Sequence, residues 1–393
     1  MKTLIELYDD RPLENILAAL TFRPERVVYV CPEEVAASKH QARVLRRYYD
    51  FRGLPIQVEM LGASSYNAAD MLLRLREAAE KYDDCVLDIT GGTDAALFAA
   101  GQLTAELPMP VITYSRRRNS FFDISHSHAA EADKCDVTFS VDDFFLMAGG
   151  SVREGRVDNA VLEQYKNDIE PFFELFLRHR KKWNSLVTYM QRISQCDKFT
   201  EPPMAVQGAY QVKGEHGSRV NAPEEALRDL ERIGFLSGLS IERGRSVSFR
   251  FRDAQIRTWL RDVGSVLELY VYQSCLDSRL FADVRTSVIV DWEGQAGRDC
   301  VTNELDVMAA SGVIPVFISC KTCEVKTEAL NELAILADRF GGQMAKAAIV
   351  TAERGGGAMR NRAAELGIAV IDLEDLQQGD LRRRLIELMR SGN

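Results

Sequence analysis

Short apolar runs alternate with polar, helix-length segments over the first 145 residues, and this constrains the fold more than any other feature of the chain. Residues 27–31, 56–60, 85–89 and 111–114 read as buried strands, whereas 38–49, 68–81 and 95–107 read as helices. Strands alternating with helices of this length build a parallel, doubly wound sheet. Ligands on such sheets bind beyond the carboxyl ends of the strands. The segment at that position is Thr90-Gly91-Gly92-Thr93-Asp94, which opens an Ala-rich helix. Two glycines admit a close backbone approach, and the helix N-terminus offers free amides and the positive end of its dipole. Threonine hydroxyls can bond phosphate or ribose. The same residues also suit a tight connection that binds nothing. Neither a Walker loop nor a full GxGxxG is present, so ATP and NAD are poorly supported.

At 393 residues the chain has room for two or three domains. No run approaches the roughly 18–20 apolar residues that cross a bilayer. The N-terminus lacks the apolar core and cleavage site of a signal peptide, so a cytoplasmic protein without membrane association is expected. Eight scattered cysteines suit reduced, mostly buried thiols. Cys320 and Cys323 form a CxxC, but no second Cys or His pair accompanies it. The net charge of −9 argues against passive coating of nucleic acid, yet leaves room for a local basic groove.

The chemistry concentrates near the C-terminus, in Asn303-Glu304-Leu305-Asp306-Val307 and Phe317-Ile318-Ser319-Cys320-Lys321. Side chains alternate along a strand, so Glu304 and Asp306 face one way, as do Ser319 and Lys321. If the two strands are neighbours, two carboxylates and a lysine share one sheet edge. That is the equipment of a metal-dependent phosphodiesterase, with hard oxygen ligands for Mg²⁺ or Mn²⁺. The competing reading is a surface salt bridge worth about 0–1 kcal/mol. Around these motifs, 257–274 reads as a helix, and 284–291, 301–309 and 315–321 as strands. An amphipathic helix with Leu330, Leu333, Leu336 and Phe340 follows, then strands at 347–351 and 369–372.

The middle of the chain is mostly polar helix, with Phe172, Phe173, Leu175 and Phe176 at core spacing within 170–183. It turns loop-rich between Cys196 and Arg219. A helix over 222–235 precedes a hairpin-like pair, 239–251, around Gly244. A helix followed by a two-stranded wing resembles a winged helix. Arg243, Arg245, Arg250 and Arg252 make DNA contact conceivable, and a spacer that couples the two ends is the other reading.

Asp-Ile-Thr-Gly-Gly-Thr after an apolar strand resembles the signature of CRISPR-associated Rossmann-fold (CARF) domains. The stretches Arg11–Leu17 and Arg23–Val28 fit the start of such a domain. Helix, three strands, helix, strand is the order of the PD-(D/E)xK nuclease core. Gly264-Ser265-Val266-Leu267-Glu268, the two acidic and lysine motifs, and Arg339-Phe340-Gly341-Gly342 are similar to CARF-fused nucleases activated by cyclic tetra-adenylate. The resemblance implies an α/β chain of three parts: a Rossmann-like sensor (1–148), a helical, winged-helix-like segment (149–255) and a PD-(D/E)xK-like nuclease domain (256–393).

It further implies a homodimer that binds cyclic oligoadenylate between two sensors. Thr90, Gly91, Gly92 and Thr93 would cradle it, with Asp10, Ser64, Ser65, Tyr66 and Tyr114 closing the site. In the nuclease, Asp306 would be the metal-binding acid, Lys321 the motif lysine, and Glu268 the first-helix acid. Glu304 and the Cys320 carbonyl would complete the shell around Mn²⁺ or Mg²⁺, with Glu332 a further candidate. The chain departs from the pattern at Asp94, where relatives carry lysine, and at Ser319, where they carry an acid. Arg116, Arg117 and Arg118 either restore positive charge near the loop or form a solvated turn.

The expected activity is hydrolysis of DNA or RNA in type III CRISPR antiviral defence, switched on by the cyclic nucleotide. Two alternatives stand beside it. One is a ligand-controlled nucleic-acid-binding regulator with a non-catalytic C-terminal domain. The other is a ring nuclease that degrades its own cyclic oligoadenylate.

Overall fold

Strands buried on both faces are continuously apolar, and those of the N-terminal half pair as the alternation requires. The computed structural model describes residues 1–125, 133–153, 158–195, 202–214, 217–293 and 302–391. Cys196 and Val301, used above as boundary marks, lie outside the described residues. The first sheet runs in the order Gln57–Ala63, Arg26–Pro32, Thr3–Leu7, Cys85–Asp88, Val111–Ser115, Ser120–Asp123, Asp133–Lys134. Its first five strands are parallel and the last two antiparallel. The order reverses between Thr3–Leu7 and Cys85–Asp88, which opens a crevice at their carboxyl ends.

Helices Ala68–Lys81 and Asp94–Glu106 cover one face of this sheet through Met71, Leu75, Ala99 and Leu103. Asn67 and Thr93 cap them, each side chain accepting amides of the first turn. The segment expected as one helix over 38–49 is two, Glu33–Ser38 and His40–Phe51. Lys39 separates them in a left-handed conformation, φ +55°.

The second sheet is mixed, in the order Ile368–Ile371, Lys346–Thr351, Ile314–Lys321, Thr302–Ser311, Asp283–Asp291, Ser151–Arg153. The first three are parallel and the rest antiparallel. The whole is therefore a mixed α/β structure with two sheets that contain parallel strands. One hydrophobic core runs from the back of the first sheet, through helix Val141–Met147, to one face of the second. There Phe145 meets Phe340 with ring centroids 4.8 Å apart. Helix Ser265–Ser278 packs on the other face, together with Phe172, Trp183 and Trp259 of the middle segment. Fully burying side chains of this size contributes about 2–3 kcal/mol apiece.

The middle segment holds helices Lys166–His179, Trp183–Ile193 and Glu224–Arg232. Strands Leu236–Glu242 and Ser246–Phe251 form the expected hairpin, with Ala205–Ala209 as a third strand beside it. The helix expected over 257–274 is broken into Ala254–Trp259 and Ser265–Ser278. The cause is Asp262, whose Oδ2 accepts the amides of Gly264 and Ser265 at 3.1 and 2.8 Å and starts a new helix. The break aims Glu268 at the acidic strand.

Candidate active site

Thr302–Ser311 and Ile314–Lys321 pair antiparallel with Val307 opposite Ile318, which brings Asp306 level with Ser319. Asp306 Oδ2 then accepts three hydrogen bonds: from the Cys320 amide at 2.6 Å, Ser319 Oγ at 3.0 Å and Lys321 Nζ at 3.3 Å. Among the described residues nothing bonds Asp306 Oδ1. Burial works against the Lys321 ammonium, but the charge and hydrogen bond of Asp306 outweigh it and lift its pKa above the ordinary value. Lys321 is therefore a cation and a donor here, not a base. Cys320 contributes only its main chain, because burial and then the Asp306 charge raise its thiol well above the usual range.

Glu268 reaches the same place from its helix. Burial lifts its pKa to about 8, and the charges of Asp306, Asp262 and Glu304 add to the rise while Lys321 opposes it. Gly264 makes the room, since a Cβ there would stand 2.6 Å from Glu268 Oε1. Gly264→Ala is expected to push the Glu268 carboxyl aside and lower nuclease turnover about tenfold, with little change in thermal midpoint. Paired kinetics and melting curves check this.

Glu304 is held differently. Its Oε1 accepts Ser287 Oγ at 2.7 Å. Thr286 pairs with Val307 and Val288 with Leu305, but the rung between Ser287 and Asp306 is missing from the ladder. Ser287 has φ +53°, a conformation that costs a non-glycine residue about 1–3 kcal/mol. That turn of the backbone aims its hydroxyl at Glu304. Glu332 accepts a hydrogen bond from Asn303 Nδ2 and so buttresses the acidic strand from the next helix.

Do these groups fit a divalent ion? The described residues hold no ready group of three His, Cys, Asp or Glu ligands around one point. The donor chemistry nevertheless fits. Three carboxylates lie close enough to perturb Glu268, one lysine opposes them, and Asp306 keeps an oxygen without a hydrogen bond. Hard oxygen donors of this kind suit Mg²⁺ or Mn²⁺.

At the crevice of the first sheet, Thr90 and Thr93 both work inside the protein. The Thr90 hydroxyl donates to Asp88 Oδ1 at 2.5 Å and accepts the Tyr114 amide at 2.9 Å. Thr93 Oγ1 accepts the Ala96 amide at 3.3 Å. The Gly92 amide donates to Asp9 Oδ2 at 3.2 Å, and Gly91 packs against Asp9. Asp9 in turn takes both Nε and Nη2 of Arg11, each at 2.8 Å. Sequence reading selected Asp10, but Asp10 is exposed, and it is Asp9 that meets the loop. Tyr114 is 9% exposed with its hydroxyl on Asn119, so it serves the loop through its amide. Ser64, Ser65 and Tyr66 follow Gln57–Ala63 at the sheet edge, beyond Arg26–Pro32, and are not beside the Thr90–Thr93 loop. Asp94 begins the helix with its acidic side chain near the dipole's positive end.

Beneath the loop lies a buried carboxyl pair. Glu6 and Asp88 are 0% and 1% exposed, and among the described residues Asp88 Oδ2 and both Glu6 oxygens have no hydrogen-bond partner. Burial lifts Asp88 to about 7 against the pull of the Thr90 bonds, and raises Glu6 with help from Asp88. A carboxyl whose folded pKa exceeds its unfolded value of about 3.9 binds more protons when folded. Its stabilising contribution is full below about pH 4 and is lost as the pH climbs through 7. Asp88→Asn keeps an oxygen for Thr90 and is expected to remove most of that decline. Unfolding midpoints at acid and mildly alkaline pH measure it.

Residues 255–391 match the family model of the Card1-like endonuclease domain. The C-terminal domain is thus an endonuclease domain of that type, and the chain is a nuclease. Two solved structures extend over the whole chain. Protein VC1899 from Vibrio cholerae aligns with a TM-score of 0.74 at 19% identity, covering 98% of this chain and 97% of that one. Can2 from Sulfobacillus thermosulfidooxidans, solved in complex with cyclic tetra-adenylate, aligns with a TM-score of 0.70 at 17% identity, over 99% of both chains. At such identities the likeness establishes a shared fold. No curated protein matches the chain. Among the described residues, no helix is long and apolar enough to cross a membrane.

Proposed function

We propose that the chain is a metal-dependent nuclease of type III CRISPR antiviral defence, activated by cyclic oligoadenylate and working as a cytoplasmic homodimer. Residues 1–148 are the CARF sensor, 149–255 the winged-helix-like connection and 256–393 the PD-(D/E)xK nuclease. The observation that carries this reading is the Asp306 carboxylate, gathered with Lys321, Ser319 and the Cys320 amide beside Glu268 in a Card1-like endonuclease domain. The ligand assignment draws on the whole-chain likeness to Can2, which was solved with cyclic tetra-adenylate, and on the Thr90–Thr93 loop at the strand-order reversal.

Asp306, Glu268, Glu304 and the Cys320 carbonyl are the groups that would hold Mn²⁺ or Mg²⁺. When bound, such an ion polarises the phosphodiester and lowers the pKa of a coordinated water. Asp306 Oδ2 keeps its three protein donors, and Oδ1 would be the oxygen left to hold the ion. Lys321, held as an ammonium, donates to the phosphate oxygens where negative charge builds up. Ser319 stands where relatives have an acid and acts as a donor that fixes Asp306 instead. The Ser287 hydroxyl fixes Glu304, which would join the same shell.

Coupling has a physical route. Arg116, just past strand Val111–Ser115, bonds both Glu14 in the sensor and Gln343 in the turn after helix Thr327–Gly341. That helix carries Glu332, which holds Asn303 beside Glu304. A ligand in the crevice activates only as far as it favours one pose of this chain of contacts over another. For the dimer, Asp94–Glu106 is apolar around most of its circumference yet leaves Phe98 63% exposed, and the neighbouring helix Ala68–Lys81 leaves Leu73 exposed. A helix apolar on all sides needs cover. Phe98→Glu is expected to halve the solution mass, read by light scattering.

The test of the function is cleavage of plasmid, single-stranded DNA and RNA with Mn²⁺, with and without cyclic tetra-adenylate. Cleavage that needs both metal and activator supports the reading. Activator binding with no cleavage of any substrate would overturn it in favour of a regulator.

A further inference from the structure

A cleft of about 1120 Å³ opens beside Lys321 and is walled by two parts of the chain distant in sequence. One wall is Arg180, Lys181 and Asn184, at the turn between helices Lys166–His179 and Trp183–Ile193 of the middle segment. The other begins at Thr322, the residue after Lys321, and continues through Lys326 and Arg354. Thr351, the rung partner of Lys321, lies on its floor. The cleft therefore starts where the proposed catalytic strand ends.

Its charge runs against that of the chain. Four cations and three carboxylates line it, in a protein of net charge −9. Arg180 Nη1 donates to Glu353 at 2.6 Å, so that pair neutralises itself across the two walls. Glu324 and Glu328 supply the remaining negative charge. Lys181, Lys326 and Arg354 are exposed and have no carboxylate partner among the described residues. The run Arg178-His179-Arg180-Lys181-Lys182 concentrates five basic-type residues at this turn. Arg178 and His179 are turned away onto Asp229, so Arg180 and Lys181 are the two of the run that line the cleft. Unpaired cations spaced along an open cleft are the arrangement that tracks a phosphate backbone, reading charge rather than sequence.

We infer that this cleft seats the substrate strand next to the scissile phosphate, with Lys181, Lys326 and Arg354 as phosphate-contacting residues, so that the middle segment is one wall of the substrate site rather than a spacer alone. The inference rests on the nuclease reading above for which end of the cleft is reactive.

The test compares the wild type with Lys181→Gln/Lys326→Gln/Arg354→Gln as full-length proteins, using a fluorescently labelled single-stranded DNA and an RNA of the same sequence in EDTA. Each phosphate contact on a single strand contributes about −0.7 to the slope of log affinity against log salt. The triple variant should therefore show a slope shallower by about 2 between roughly 50 and 200 mM salt. Under cleavage conditions its KM should rise at least about tenfold with kcat within about twofold. A control carrying Lys181→Arg, Lys326→Arg and Arg354→Lys keeps the charges and should keep the wild-type slope, separating charge from folding. An unchanged slope in the Gln variant for both probes, or no strand binding by the wild type at low salt, overturns the cleft assignment. The expected shallower slope in the Gln variant, beside a wild type that cleaves nothing, leaves the cleft standing and sinks the nuclease reading instead.

Discussion

Asp306→Ala should abolish metal-dependent cleavage, by about 10³-fold or more, while leaving cyclic tetra-adenylate binding at the wild-type level. Removing a single group that organises transition-state charge costs about 10²–10³ in turnover. Asp306 does more than that, since its Oδ2 gathers Lys321, Ser319 and the Cys320 amide while Oδ1 is left for an ion. The stability cost is smaller. Lys321 is one-third exposed, so the ion pair contributes no more than about 1 kcal/mol. The Cys320 amide loses its acceptor, which adds about 1–3 kcal/mol if no water replaces it. Asp306→Asn separates the effects: it preserves an oxygen for Lys321 and Cys320 but removes the charge. It should fold like the wild type and cleave as poorly as the alanine variant. Cleavage within about tenfold of the wild type for either variant would remove Asp306 from the chemistry.

The strands around this site were legible because they are short, mostly apolar runs, and because Asp306 and Lys321 sit in consecutive motifs whose faces follow from alternation. The shared sheet edge needed only the assumption that neighbouring strands pair, whereas the rung that aligns Asp306 with Ser319 is set by the tight turn between Ser311 and Ile314. What escaped the sequence depends on contacts through space. Asp9, which holds Arg11, meets the Gly92 loop because strand order places Thr3–Leu7 beside Cys85–Asp88, and no local pattern encodes that order. Glu6 and Asp88 were open to detection as lone carboxylates in apolar strands, and they pair with each other as one rung between neighbouring strands. Ser287 was not, because nothing about a serine in a strand announces a positive φ. Ser151–Arg153 is three residues long, too short to carry a periodic signal, yet it completes the second sheet. The helix break at Asp262 was missed because the apolar face continues across it through Trp259, Val263 and Leu267. The cap signal was in the sequence, and the hydrophobic period hid it.

Gly92→Ala should weaken the sensor as Asp306→Ala disables the nuclease, through the opposite end of the molecule. Gly92 has φ +97°, where an L side chain is strained, at about 1 kcal/mol or more. A Cβ there would also stand 2.6 Å from the Leu7 Cβ. Leu7 is fully buried in a central strand and cannot retreat, so overpacking adds about 1–3 kcal/mol. The cheapest escape is for the loop to lift. That breaks the Gly92 amide bond to Asp9 and releases the Asp9–Arg11 pair, dismantling the crevice from both sides. A cost of about 2–4 kcal/mol placed on the binding-competent loop weakens ligand affinity by about 10²-fold. Titration calorimetry with cyclic tetra-adenylate is the measurement, run beside Asp306→Ala. Loss of binding in Gly92→Ala with retention in Asp306→Ala would assign ligand and chemistry to separate ends of the chain. Equal binding in both would show that the Thr90–Thr93 loop is a tight connection and nothing more.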